Sequence, residues 1–397
     1  MYFLISLSIF IIGFFSLQIF QGLRKYHRRI KQQTQALYYS TVKVSYDEGL
    51  LISNNYVPIQ LKNVPLADKK GIITEVHTIS LDTIPYPYNP SHIATDNTFE
   101  LFFRYDTPKS EPLENPKLPL ITRIGQITLD KNFKPISKPQ HIKTNSQQSE
   151  DPRIIRYDDK ILLFYNDIAR CETYCRTMRM AELNSKNYQI LYSTELDINL
   201  QKMEKNWVPF IIKNANKSVP HIVYQMNPHK ILRINSLKEN DISHLCFPNN
   251  PTLLSKLWPA IWGTPRGGTP ALKIDNEYIS FFHSAFTDFC TNTRWYVIGA
   301  YRFEDKPPYR ITAISEHPLI FQGLYDTPHS PSANPKLRCL FASGLTIDTK
   351  EDKTVFHVSC GENDSGIKIL TIDKDKLYQN MKKISYAEIK DQMIATK

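Results

Sequence analysis

The chain has 397 residues, with 49 Lys and Arg against 39 Asp and Glu, a net charge of +10 and 12% aromatic side chains. That aromatic content excludes a disordered chain, which lacks the apolar surface to fold, and the length allows a large core or two domains. No nucleic-acid motif accompanies the positive charge, so nucleic acid is not expected as a partner, and an anionic lipid or anionic substrate remains.

Residues 1–20, MYFLISLSIFIIGFFSLQIF, carry no charge and match the ~20 apolar residues that span a bilayer. They lack the basic n-region and small-residue cleavage site of a secretory signal. The expectation is a single uncleaved transmembrane anchor holding the protein on the bilayer, with a cleaved signal as the alternative. Arg24, Lys25, His27, Arg28, Arg29 and Lys31 follow at once. The positive-inside rule favours the cytoplasm for this end. Residues 21–66 read as a basic juxtamembrane stalk and entry segment, with Tyr38–Val44 as a candidate strand.

From residue 67 to 380 no long helical pattern occurs. Short β-branched and aromatic runs alternate with turn residues. They are Glu100–Tyr105, Ile121–Thr128, Lys160–Tyr165, Thr177–Leu183, Pro209–Lys213, His221–Gln225, Ala271–Ile274, Tyr278–His283, Trp295–Phe303, Cys339–Ile347, Thr354–Cys360 and Ile367–Ile372. The class is all-β, as a sandwich, barrel or propeller. A recurring unit chooses among these: a polar loop, then an aromatic-rich strand. Tyr88–Ile93 precedes Glu100–Tyr105, Glu150–Arg153 precedes Leu162–Tyr165, Lys205–Phe210 precedes His221–Tyr224, and Arg266–Ala271 precedes Ile279–His283. A spacing of ~45 to 65 residues fits one four-stranded propeller blade per unit. In such a fold the polar loops converge on one face. Residues from Asp373 onward have helical character, and 381–397 read as a C-terminal tail.

The six cysteines are Cys171, Cys175, Cys246, Cys290, Cys339 and Cys360. Their spacing does not match a zinc site, so no metal is expected, and buried free thiols are the favoured state over disulfides.

The ordered loops resemble glycoside hydrolase family 130, the β-mannoside phosphorylases, and their mannosyltransferase relatives. The likeness covers Asn89 to Leu377. It rests on Asn89-Pro90-Ser91 with Phe103-Arg104-Tyr105, Arg123-Ile124-Gly125, Glu150-Asp151-Pro152-Arg153, Lys205-Asn206-Trp207, His283, Tyr296 with Ile298-Gly299-Ala300, and Gly361-Glu362-Asn363-Asp364. It implies a five-bladed β-propeller. It also implies an inverting phosphorylase or glycosyltransferase acting on β-mannosides or similar glycans, with Asp151 as the proton donor acting through a sugar hydroxyl. Asn89, Arg104, Glu150, Arg153, Lys205, Asn206, His283, Tyr296 and Asp364 would bind the substrate. Arg176 stands where the first phosphate-binding Arg is expected. Near Gln225, where the second is expected, there is none, and Arg266 and His229 could substitute. No cofactor is implied beyond inorganic phosphate or a sugar-phosphate as co-substrate. A sugar-processing enzyme is usually lumenal, whereas the positive-inside rule favours the cytoplasm, so both orientations stay open.

The chemistry agrees. Glycosidic cleavage needs acid help at the leaving oxygen and a nucleophile on the far face. If phosphate attacks, cations with fixed geometry replace a second carboxylate, and Arg104, Arg153, Arg176, Lys205 and Arg266 lie near the motif loops. Two alternatives stay open: a hydrolase with Glu362 or Glu150 as base, and a non-catalytic propeller that binds glycans or proteins at a membrane. Neither the oligomeric state nor the sugar is legible.

Overall fold

The aromatic and β-branched runs become strands in a computed structural model that describes residues 56–107, 121–168, 175–196, 201–214, 217–245 and 257–384. The chain divides into two compact units: 49–286 with 294–397, and 1–48 with 287–293. Of the smaller unit only 287–293 are described. There Thr291 donates from its backbone N–H (3.2 Å) and its hydroxyl (2.6 Å) to Asp288 Oδ2. The proposed anchor, the basic cluster and the Tyr38–Val44 strand lie outside the described residues. Among the described residues no helix is long and apolar enough to cross a membrane.

The larger unit is nearly all β. Its first strand, β1 (Ile73–Ile79), is followed by a four-stranded antiparallel sheet: β2 (Tyr88–Ala94), β3 (Phe99–Asp106), β4 (Thr122–Leu129) and β5 (Gln140–Ile142). The second sheet is β6 (Glu150–Tyr157), β7 (Lys160–Ile168), β8 (Arg176–Leu183) and β9 (Ile190–Leu196). The third is β10 (Val208–Asn214), β11 (Lys217–Met226), β12 (His229–Ile234) and β13 (Ile242–Leu245). The remaining strands form one ten-stranded sheet. One part of it contains β14 (Arg266–Gly267), β15 (Leu272–Ile274), β16 (Glu277–Asp288), β17 (Thr293–Glu304) and β18 (Ile311–Ser315). The other contains β19 (Leu337–Lys350), β20 (Lys353–Glu362) and β21 (Gly366–Asp373), with β1 antiparallel on β21. A short parallel pairing of β17 with β19 joins the parts.

The chain thus makes five groups of strands, with four strands in each except the fourth, which holds β14 to β18. Tight turns enforce the antiparallel order. Glu351 and Asp352, at φ 49° and 61°, connect β19 to β20, the twist a two-residue hairpin requires. Apolar clusters lie between successive groups. Ile93 and Phe102 meet Ile154 and Leu163, and Phe164 and Met178 meet Trp207 and Ile222. Phe99 and Leu101 meet Ile367 and Ile369, and a larger cluster spans the third to fifth groups. Both faces of a sheet are therefore covered, and central strands are buried without a break, as in β20 from Val355 to Glu362. Period-two alternation disappears under that condition.

Several expectations change at the edges. Leu61, Val64 and Leu66, read as entry segment, are buried in the core. A helix does follow Asp373, over Lys374–Gln379, capped by the Asp373 carboxylate accepting from the Lys376 N–H. After it, Met381–Lys383 form β22 on β18, so the start of the expected tail is a strand. Cys339 and Cys360 are buried free thiols and Cys290 is free and exposed. Cys175 is disulfide-bonded, which corrects the reading of free thiols at that position.

Candidate active site

Two stretches read as polar loops are the first strands of their sheets. In β2 the register passes from Tyr88↔Arg104 to Ser91↔Phe102, so Asn89 and Pro90 oppose one residue of β3. In β6 it passes from Glu150↔Asn166 to Arg153↔Phe164, so Asp151 and Pro152 oppose one residue of β7. Each is a β-bulge, where an unpaired residue bends the strand and re-aims a side chain. Proline is at home there because no ladder N–H is needed. Asn89 and Asp151 adopt φ of 46° and 53°, a left-handed conformation that Asn and Asp tolerate better than most residues. The paired distortions turn the two side chains toward each other. Asn89 Nδ2 donates to Asp151 Oδ1 at 2.8 Å. Gly361 makes room, since a Cβ there would lie 2.2 Å from Asn89 Oδ1 and 2.5 Å from its backbone N.

Arg104, on β3, bridges the two acids of the second sheet. Its Nη1 is 3.3 Å from Asp151 Oδ1 and its Nη2 is 3.1 Å from Glu150 Oε1. The guanidinium lies 4.8 Å from the centre of the Tyr88 ring. The Tyr88 hydroxyl in turn donates to Asp106 at 3.2 Å, and Thr122 donates to the same carboxylate at 2.9 Å. Tyr88 and Asp106 are parts of the site that the sequence reading did not assign. The available signal was Arg104 and Asp106 at i and i+2, on one face at the end of an apolar strand.

Glu150 also meets Arg176 Nη2 at 2.5 Å and Lys205 Nζ at 3.6 Å. Burial alone would raise the Asp151 pKa. The charges of Arg104, Lys205 and Arg153, with the Asn89 hydrogen bond, outweigh it and hold the carboxyl at about 2. Asp364 sits in the β20–β21 turn at φ 50°. Burial pushes it up to about 6; Arg104 opposes this, while Asp151, Asp106 and Glu150 add to it. The two carboxyls nearest the expected reaction therefore have opposed proton affinities, the arrangement that separates acid and base roles.

The other expected binding residues divide sharply. Arg153 is buried, with its donors on backbone carbonyls: Nε to Gly268 O at 2.5 Å, and the Nη atoms to Asp151 O and Gly267 O at 3.4 Å. Arg176 is buried as well, spent on Glu150, on Gln148 O at 2.9 Å and on Asn166 Oδ1 at 2.8 Å. Both hold the framework rather than offering free donors. His229 lies apart from the cluster. Its Nδ1 contacts Tyr309 O at 2.8 Å and its ring packs on Phe303 and Tyr301. Glu362 is fully buried, accepting from the Tyr325 and Thr327 N–H groups at 2.6 and 3.0 Å, with Lys368 Nζ at 3.0 Å. It has no freedom to serve as a base.

What stays open is a cleft of about 540 Å³, whose lining includes Lys205, Asn206, Tyr224, Gln225 and Arg266. Asn206 has φ of 63°, a third left-handed Asn or Asp at the start of a first strand. His283 pairs with Arg266 across β14 and β16. Its ring stacks on Tyr296 at 6.0 Å and contacts Phe341 at 4.4 Å. Burial, then Arg153 and Arg266, lower its pKa to about 3, so it is neutral at physiological pH. Three buried polar atoms here lack a hydrogen-bond partner: Asn89 Oδ1, Arg104 Nε and His283 Nδ1. Such atoms are uncommon and call for a ligand or ordered water. Among the described residues no three His, Cys, Asp or Glu side chains are placed to hold a metal ion.

No protein-family model matches the chain. β-Mannosyltransferase 3 of Komagataella phaffii is 29% identical over 131 residues, 32% of this chain and 20% of the relative. β-Mannosyltransferase 2 of the same yeast is 28% identical over 131 residues, 32% of this chain and 19% of the relative. The chain thus matches about a fifth of the length of these curated relatives. A β-1,2-mannobiose phosphorylase from Listeria innocua, solved with β-1,2-mannobiose, superposes with a TM-score of 0.51 at 13% identity, covering 83% of this chain and 98% of the other. That likeness concerns the fold, and it agrees with the all-β class read from the strand pattern. The chain is thus similar in fold to a β-1,2-mannobiose phosphorylase and, over 131 residues, in sequence to β-mannosyltransferases.

Proposed function

We propose that the five groups of strands close as a five-bladed propeller, and that the protein transfers a β-mannosyl unit between a glycan and a phosphate-bearing partner with inversion. The observation carrying this reading is the split of the site into an occupied acidic half and an open cationic half. Inverting hydrolysis needs a free carboxylate to activate water. Glu150 is held by Arg104, Arg176 and Lys205, and Glu362 by two backbone N–H groups and Lys368. Lys205 and Arg266 instead face the open cleft, where a phosphate group would find charge-assisted donors.

Asp151 and Asp364 act as a pair that holds one proton between about pH 2 and pH 6. Asp364 stores the proton. The proton moves from Asp364 to Asp151, which is oriented by Asn89 and Arg104 and passes it through a sugar hydroxyl to the leaving oxygen as the glycosidic C–O bond breaks. A phosphate oxygen forms the new bond to the anomeric carbon from the opposite face. The reverse direction builds the glycoside. Neutral His283 and the face of Tyr296 flank the sugar or the phosphate ester.

The test incubates the protein with β-mannobiose with and without inorganic phosphate, and with mannose 1-phosphate or nucleotide-linked mannose plus a manno-oligosaccharide acceptor. Phosphate-dependent sugar-phosphate formation, or transfer from a phosphorylated donor, is expected. Mannose release at equal rates without phosphate would establish hydrolysis instead. No turnover with any donor, together with unchanged glycan binding in Asp151→Asn, would leave a non-catalytic binding protein.

A further inference from the structure

The five first strands have two ends. Their starts carry Asn89, Asp151, Lys205 (just ahead of β10), Arg266 and, on β19, Cys339. These strands lie side by side: β2 touches β6 and β19, β6 touches β10 and β19, and β15 touches β19. Four residues beyond Asn89 and Asp151, roughly 13 Å along an extended chain, come Ile93 and Ile155. Here the same strands line a second cavity of about 640 Å³. Arg153 lies between the two ends, its guanidinium bonded to the Gly267 and Gly268 carbonyls. The second cavity is thus separate from the carboxylate cluster.

Its composition differs from that of the first. Each strand supplies an apolar wall: Ile93, Ile154, Ile211, Leu272 and Ile347. The polar groups among them are already satisfied. The Tyr278 hydroxyl donates to Ile211 O at 2.7 Å, and Thr346 Oγ1 is 2.9 Å from His92 Nε2. The rim carries Arg156, Lys213 and Lys273 against one acid, Asp275. Lys273 is paired with Asp305 at 2.8 Å, and Asp275 with Lys374 at 3.8 Å. Arg156 and Lys213 are exposed and have no salt bridge among the described residues; Arg156 Nε donates to Ala94 O at 3.3 Å, and its Nη atoms have no carboxylate partner among those residues. An apolar pit of this size with a few polar groups at its edge is the usual form of a small-molecule site. A half-open cavity lined by the strands can take one chain from solution; a membrane surface would be met by protruding apolar side chains instead.

We propose that this end of the first strands binds a monomeric long-chain fatty acid, its alkyl chain against the five apolar walls and its carboxylate on Arg156 and Lys213. The acidic head complements the unbalanced positive rim, and the chain needs no hydrogen bonds from a wall that has none to give. A sugar would find too few polar groups here.

The test is displacement of dansyl-undecanoic acid from the full-length protein, followed by dansyl fluorescence. Saturable binding displaced by palmitate is expected, with hexadecyltrimethylammonium displacing at least about threefold less well because the rim repels it. Arg156→Gln/Lys213→Gln, a surface change that spares the fold, should weaken palmitate about three- to fivefold. Leu272→Asp, checked for an unchanged melting temperature, should weaken it at least about tenfold. Asp151→Asn should bind palmitate like the unmodified chain, which keeps this result independent of the catalytic reading. The proposal is overturned if binding is not saturable, or if Arg156→Gln/Lys213→Gln binds palmitate as tightly as the parent. Capture by phosphatidylserine vesicles without binding of monomeric palmitate would overturn it too, by making the surface a membrane contact.

Discussion

The acidic and the cationic halves of the candidate site are built on different principles. On the acidic side nearly every side chain is buried and already partnered: Asn89 on Asp151, Arg104 on Asp151 and Glu150, Tyr88 on Asp106. On the cationic side Lys205 is about one third exposed and only loosely paired with Glu150 at 3.6 Å, and Arg266 is exposed on the cleft. The first half is organised before a ligand arrives, which is where preorganised groups help a reaction most. The second is completed by its ligand. A framework defect should therefore damage rate and stability together on the acidic side. Loss of a cation on the open side should damage only affinity.

The largest effect that would sharpen this contrast is at Asp151. Asp151→Asn keeps the Asn89 and Arg104 geometry but removes the proton-transfer group, and kcat for mannosyl transfer should fall about 10²–10⁴-fold. A loss below about tenfold in a steady-state assay would remove Asp151 from the acid role. Next comes Gly361→Ala. Its Cβ would press on Asn89 at 2.2 and 2.5 Å, partly against backbone, so both stability, by about 1–3 kcal/mol, and kcat should fall. Urea unfolding beside a rate measurement checks that the two move together. Lys205→Ala and Arg266→Ala should each raise KM for the phosphate-bearing substrate about tenfold while changing unfolding free energy by less than about 0.5 kcal/mol. A change in kcat alone would break the comparison, because the cations would then belong to the preorganised half.

The smallest expected effect is in pH dependence. Asp364 titrates at about 6 in the folded protein, above its unfolded value, so it contributes stability fully below about pH 4. That contribution is lost as pH rises through 6. Asp151, held at about 2, works in the opposite sense, its contribution being present above about pH 4 and lost as pH falls through 2. Asp364→Asn should flatten the decline in stability between about pH 4 and 6. It should also remove the limb of the rate profile that falls as pH rises through about 6. Thermal melts and initial rates at four pH values would reveal either change.

The sequence disclosed the strands that are rich in aromatic and β-branched residues, and it disclosed Asp151, Arg104 and Lys205 as neighbours of one site. It concealed β2 and β6. Asn89-Pro90 and Asp151-Pro152 carry the residue signature of turns, and strands covered on both faces give no alternation to counter it. The bulges resolve the conflict, since a bulge is a turn-like defect inside a ladder. It also concealed which cations are free. Arg176 and Arg266 look alike in sequence. Only pairing across 26 residues, Arg176 to Glu150, shows that the former is spent. The burial of Glu362, one of two bases open to the hydrolytic alternative, was hidden for the same reason, because its partners Tyr325, Thr327 and Lys368 come from a separate loop and the next strand.

The pairing of β1 with β21 bears on how the protein is made. Ile73 and Ile372 face each other across that ladder, so one of the earliest strands to leave the ribosome has its partner about 300 residues later, a separation that slows folding. Until then β1 exposes an unpaired edge, the feature most prone to mispairing with other chains. The three intervening sheets can form in sequence during translation; the fifth group can be completed only once β21 has been made. Truncations that remove β21 should therefore leave an aggregating product rather than a smaller active one, and chaperone dependence should centre on the interval between synthesis of β1 and of β21.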